Sequence, residues 1–165
     1  MSRPFPRRTA AELMEGTFLA KWTDRAALSP AGRTALGEIL DRFQTDGAPI
    51  EIATLRHGEA VAELDERDLI YLSGDRVVLA YPWSGTPTPF VTVLAGGCER
   101  WACCAIDALG VPAMLGKPVT VRTACHHCAE RFELTVTPAG PVGDHRVMAW
   151  IGERGDLRGK ACTAL

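Results

Sequence analysis

Two thiols and a carboxylate lie close together in the segment Trp101-Ala102-Cys103-Cys104-Ala105-Ile106-Asp107-Ala108-Leu109. On a helix, Cys104 and Asp107 stand three residues apart and share a face, and Cys103 lies four residues from the same acid. A thiol in the first turns of a helix has its thiolate stabilised by the positive end of the backbone dipole. A carboxyl group among apolar neighbours, here Ile106, Ala108 and Leu109, has its pKa raised and can hold and deliver a proton near neutral pH. The bland alternative is a solvated aspartate. It fits poorly with so apolar a segment, because a buried acid needs a partner or a task. Such a pair suits capture of a soft metal with a proton donor beside it.

The other thiols extend this picture. All six cysteines, Cys98, Cys103, Cys104, Cys125, Cys128 and Cys162, fall in the last two-fifths of the 165 residues. In a reducing compartment such a cluster points to metal or thiol chemistry more than to a disulfide framework, although a single free cysteine is usually just a small buried hydrophobe. Cys125-His126-His127-Cys128 is half of a zinc knuckle, since a turn of this spacing aims both sulfurs at one ion. A zinc ion at Cys125 and Cys128 is therefore one expectation, with His126, His127 or Cys98 to complete the set. A thioredoxin-like redox role is disfavoured, because that motif opens a helix and this one precedes Phe132-Glu133-Leu134-Thr135-Val136. Cys162, three residues from the end of the sequence, carries no signal of its own.

The elements that position these residues read as α+β. An N-terminal winged-helix-like helical module with a β-hairpin is followed by a small mixed sheet packed with the helix that bears Cys104 and Asp107. Ala11–Trp22 has helical spacing of Leu13, Met14, Phe18 and Trp22. Ser29-Pro30 is an N-cap with proline at the first helical position, and Leu36, Ile39, Leu40 and Phe43 form an apolar stripe that Asp46-Gly47 ends. Short helices near Ile50–Arg56 and Glu59–Asp68 precede two strands, Leu69–Leu72 and Arg76–Tyr81, around Ser73-Gly74-Asp75. Residues 1–81 thus form the first module, and the Pro- and Gly-rich stretch 82–89 reads as a connector. In residues 90–165, Phe90–Leu94 reads as a strand and Glu99–Leu109 as a helix stopped by Gly110 and Pro112. Val119–Ala124, Phe132–Thr137 and Arg146–Ile151 read as further strands.

Composition narrows the function classes. Apolar residues make up 47% and charged residues 23% of the chain, which is ordinary globular usage. The formal net charge of −2 offers no basic field for nucleic acid or anionic lipid. Winged helices often bind DNA, but the helix that would read it carries Glu63, Asp65, Glu66 and Asp68, which phosphates would repel. Nucleic acid is therefore an improbable partner. No apolar run approaches the ~20 residues that span a bilayer, and the basic N-terminus has no apolar signal region after it. The expected location is the cytoplasm, with no membrane association.

The stretch from Trp101 to Leu109, then Val111-Pro112-Ala113-Met114-Leu115-Gly116, then Val119-Thr120-Val121-Arg122-Thr123-Ala124-Cys125, resembles the organomercurial (alkylmercury) lyases. That family has a Cys-Ala-x-Asp helix, a Pro-x-x-x-Gly turn and a strand ending in cysteine. Phe132–Pro138 is similar to the family's Leu-x-Val-x-Pro strand, and Asp156-Leu157-Arg158-Gly159-Lys160-Ala161-Cys162 to the segment carrying its second catalytic cysteine. The resemblance covers about residues 90–138, with a weaker match at the end. It implies that Cys104 and Cys162 bind mercury as thiolates, that Asp107 donates a proton to the departing carbon, and that Cys125 is structural. It implies protonolysis of carbon–mercury bonds in an organomercurial small molecule. No cofactor is required, Hg²⁺ is the bound product, and cytosolic thiols or another mercuric-ion acceptor remove it. The family continues past its last catalytic cysteine, has Thr-Gly where His127-Cys128-Ala129 stands, and lacks the extra thiol Cys103. The resemblance is therefore to a divergent, C-terminally short member. The alternatives are a noncatalytic soft-metal (Hg, Zn or Cu) binder using Cys103, Cys104, Cys125, Cys128 and Cys162, or a metal-responsive winged-helix regulator.

Overall fold

The computed structural model describes residues 27–143 and Met148. The expected helix Ala11–Trp22, the expected strand Arg146–Ile151 and Cys162 lie outside the described residues. Helix α1 (Pro30–Asp46) begins as the sequence suggests. Ser29 is its N-cap, with its hydroxyl accepting from Gly32 N–H at 2.9 Å, and proline occupies the first turn. Gly47, at φ 64°, ends it by donating its N–H to the Phe43 carbonyl, in the left-handed conformation that glycine adopts without penalty. The inward stripe Ala35, Ile39 and Phe43 is fully buried.

After α1 come a two-residue strand β1 (Ile50–Glu51), two single 3₁₀ turns (Ile52–Thr54 and Gly58–Ala60) and a short helix α2 (Val61–Glu66). The first of the two short helices expected here is thus a strand and one tight turn. The acidic face of α2 is partly turned inward. Glu63 accepts both the backbone N–H of Ser29, at 2.9 Å, and its hydroxyl, at 2.6 Å, which ties α2 to the start of α1. Strands β2 (Ile70–Ser73) and β3 (Arg76–Ala80) form the expected hairpin, with a register shift between Tyr71 and Leu72.

Beyond the hairpin the structure departs from the sequence-based expectation in two places. The connector contains a strand, β4 (Trp83–Ser84), which pairs with Leu79-Ala80 of β3 on one side. On its other side it pairs with Trp101-Ala102 of β6 (Glu99–Ala102). Trp83, only 1% exposed, supplies the reason: one large aromatic among turn-forming residues is buried between Ala80 and Ala102, both fully buried. Residues 99–102, expected as helix, are therefore strand, and helix α3 runs over Ala105–Leu115. Gly110 and Pro112 do not stop it. Pro112 lies inside the helix with its ring fully buried, and Gly116, at φ 65°, makes the actual terminus. An interior proline normally opposes a helix because it lacks an N–H and clashes with the preceding turn; burial of its ring is the compensation available here.

Strand β5 (Val91–Val93) lies between β6 and β7 (Val119–Ala124), and β7 pairs along its whole length with β8 (Arg131–Thr137), which meets β9 (Gly140–Pro141). Among the described residues nine strands form a single antiparallel sheet in the order β1-β3-β4-β6-β5-β7-β8-β9, with β2 on β3. Helix α1 packs near the β3–β4 end, and α3 packs on β6, β7 and β8. Two further contacts fasten these ends together. Arg100 of β6 reaches the C-terminus of α1, donating to the Gln44 carbonyl at 2.7 Å and to the Thr45 carbonyl, so a cation meets the negative end of that helix. Gly85 sits so close to α1 that a Cβ there would lie 2.8 Å from the Phe43 ring and 2.8 Å from the Pro49 nitrogen.

Candidate active site

Cys104 is the N-cap of α3 rather than a residue within it. Its backbone is extended (φ −150°, ψ −179°), and its sulfur accepts the N–H of Asp107 at 3.5 Å. The thiol and the carboxylate therefore meet across a helix start, as in a capping box, with the cap side chain and the third helical residue facing one another. The segment leading to Cys104 is held from both sides. Ala102 donates to the Phe90 carbonyl at 2.9 Å, and the Thr88 hydroxyl donates to the Ala102 carbonyl at 2.6 Å. Cys103 donates its N–H to the Pro82 carbonyl at 3.0 Å and its S–H to the Trp83 carbonyl at 3.2 Å. Trp83 and Thr88 were missed as positioning residues. Their only signal was a bulky aromatic and a hydroxyl inside a turn-rich stretch.

Electrostatics at this pair run opposite to the dipole argument for the thiol. Burial, reinforced by the hydrogen bond and the charge of Asp107, pushes the Cys104 thiol up to about 11. Asp107 is also raised, by burial, against a partial offset from its hydrogen bonds with Cys104. The expectation for the carboxyl group holds. The expectation of a dipole-activated thiolate does not, because desolvation and an adjacent acid outweigh the fractional charge of the helix end. So high a pKa keeps the Cys104 thiol protonated at neutral pH. Ile106, next to Asp107 on α3, is 48% exposed.

A prediction follows for Cys104. Alkylation by iodoacetamide, followed by peptide mass spectrometry, should be slow at pH 7 and still be climbing at about pH 10, above the range of an ordinary cysteine. With Asp107→Asn the profile should move to lower pH, since the charge and hydrogen bond that favour the protonated thiol are gone. An unmoved profile would remove Asp107 as a cause.

The remaining thiols are spread out. Cys103 faces the Trp83 carbonyl and does not share a helix face with Asp107, because the helix starts after it. Cys98 is exposed in the turn before β6, and Cys125 and Cys128 occupy the β7–β8 turn. No disulfide joins any two of the five described cysteines. Among the described residues no group of three or more His, Cys, Asp or Glu is gathered to hold a metal ion, so these residues do not complete a four-ligand zinc cage. None of the described helices is long and apolar enough to cross a membrane.

Residues 83–163 match the family model described as alkylmercury lyase. The chain is 28% identical over 125 residues to the alkylmercury lyases of Bacillus cereus and Clostridium butyricum, covering 75% of this chain and 53% of each relative. It is 30% identical over 97 residues to the alkylmercury lyase of Staphylococcus epidermidis, covering 56% of this chain and 44% of that protein. The fold is similar to the crystal structure of the mercury-bound form of MerB2, with a TM-score of 0.60 and 24% identity over 74% of this chain and 64% of that one. The chain is thus similar to the alkylmercury lyases over its C-terminal half, and its fold is similar to that of one of them. It spans about half the length of the curated relatives it matches.

Proposed function

We propose that this protein cleaves carbon–mercury bonds in small organomercurials, using Cys104, Asp107 and Cys162. The observation that carries the reading is the Cys104–Asp107 pair at the head of α3, a soft nucleophile and a proton carrier in direct contact. The organomercury cation adds to the Cys104 sulfur as the S–H bond breaks, and Asp107 takes that proton. Cys162, which falls within the family-matched segment, supplies the second sulfur and loses its proton to solvent. Two thiolates raise electron density on the metal and weaken its bond to carbon. Asp107 then protonates the carbon, the hydrocarbon leaves, and Hg²⁺ stays between two sulfurs. One organomercury cation and two thiols give one hydrocarbon, one dithiolate-held Hg²⁺ and one free proton.

No cofactor enters this balance. Catalysis belongs to residues 90–165, with residues 1–81 and the 82–89 segment in support. The exposed Ile106 side chain provides apolar surface for the organic group. Free thiols of this kind persist in a reducing cytoplasm, where small thiols would carry Hg²⁺ away. The test is incubation with phenylmercury and excess free thiol, with benzene measured by gas chromatography. Release by the wild type, and its loss in Cys104→Ser and Cys162→Ser, is the expected result. Tight mercurial binding without benzene would replace this reading with that of a noncatalytic soft-metal binder.

A further inference from the structure

The β7–β8 turn holds two thiols that the proposed reaction does not use. Cys125 follows the last residue of β7, and the turn closes through Cys125 N–H to the Glu130 carbonyl and Ala129 N–H to the Cys125 carbonyl, both at 2.8 Å. Ala129, directly after Cys128, is held at φ 58°, a left-handed conformation uncommon for a residue with a Cβ. The turn is thereby folded back so that the backbone N–H groups of Cys128 and His127, and then the Cys128 thiol, are directed at the Cys125 sulfur. Those contacts draw the Cys125 thiol below the usual range, the reverse of what Asp107 and burial do to Cys104. Here two sulfurs are within hydrogen-bonding reach of each other on an exposed turn, and the amide donors around Cys125 favour its thiolate form.

Strand register places this turn relative to Cys104. Val91 of β5 is the partner of both Trp101 in β6 and Arg122 in β7, each antiparallel to it. Strands β6 and β7 therefore run in the same direction on either side of β5, with residue 101 level with residue 122. Three residues further on, Cys104 and Cys125 leave the same end of the sheet, their strands about 10 Å apart across two strand spacings.

We propose that Cys125 and Cys128 form a second soft-metal site, chelating one Hg²⁺ ion between their two sulfurs at the same end of the sheet as Cys104. Binding breaks both S–H bonds, forms two Hg–S bonds and releases two protons, with no change of oxidation state. Thiolate pairs favour soft d¹⁰ ions, and two ligands satisfy Hg²⁺, whereas a structural zinc ion requires four. Joining both sulfurs to one turn makes the second Hg–S bond intramolecular, so this pair outcompetes separate monothiols. If the cleavage reaction proposed above operates, the turn is the next holder of its product.

The test uses inorganic HgCl₂ and so does not depend on cleavage. The full chain is loaded in excess glutathione, desalted, and its mercury counted per chain. Cys128→Ser and Cys125→Ser should each retain one ion fewer than wild type, with unchanged far-UV circular dichroism. Cys98→Ser, which removes an exposed single thiol, should retain the wild-type number. Equal retention by wild type and Cys128→Ser would overturn the site, whether or not phenylmercury is cleaved. Loss in Cys98→Ser equal to that in Cys128→Ser would also overturn it, since simple exposure would then explain retention.

Discussion

Asp107→Asn is expected to slow hydrocarbon release from phenylmercury by about 10²–10⁴-fold, the usual contribution of a positioned proton donor. The same change is expected to make the protein more stable at pH values where the wild-type carboxyl group is ionised. Asparagine keeps the size of the side chain and the backbone N–H that the Cys104 sulfur accepts, so the helix start is preserved. What it loses is the ionisable proton. The stability effect follows from the raised pKa of Asp107. A carboxyl group whose folded pKa lies above its unfolded value contributes fully below the unfolded value, about 3.9, and loses that contribution as pH rises through the folded value. Where the carboxyl group is ionised, the wild type carries a buried charge that the asparagine variant lacks, and the difference should shrink toward zero in acid. Thermal melts across this pH range, paired with benzene measurements, separate the two effects. Near-wild-type cleavage by the variant would remove Asp107 from the chemistry.

Trp83→Ala should cost about 3–5 kcal/mol of stability, the range for truncating a buried large aromatic. Trp83 is the bulk of a two-residue strand and lies between β3 and β6. Its carbonyl also receives the Cys103 S–H, so loosening β4 frees the segment that presents Cys104. Trp83→Phe should cost distinctly less. The indole N–H is buried with no hydrogen-bond partner among the described residues, and phenylalanine removes that unsatisfied donor along with some volume. Urea unfolding of both variants gives the comparison, and an alanine cost below about 1 kcal/mol would show that β4 does not depend on this side chain.

Local rules were enough for α1 and for the hairpin. Ser29-Pro30 and Asp46-Gly47 punctuate a helix by caps that act within a few residues, and Ser73-Gly74-Asp75 does the same for a turn. The candidate site was legible as a pair and misread as geometry. Cys104 and Asp107 do meet, yet through a cap, because Glu99–Ala102 is taken up by strand pairing with β4 and β5. That pairing is nonlocal, and Glu-Arg-Trp-Ala carries no period that reveals it. Pro112 misled for the same reason: its stop signal is local, and the burial that offsets it is tertiary. The Cys104 thiol was assigned a helix-end environment without the desolvation that only the packed structure supplies.

The β3–β4–β6 junction bears on how far the chain could be trimmed. A piece confined to the family-matched residues 83–163 would retain Cys104, Asp107 and Cys162 but would lack β3. Strand β4 would then be an open edge, with unpaired backbone groups and the Trp83 indole bared to water. Edges of that kind recruit strands from other chains, so the shortened piece would be expected to self-associate more than the full chain. Strand β3 thus covers the margin of β4 that would otherwise be free to pair with another copy, and with it the strand whose carbonyl holds the Cys103 thiol.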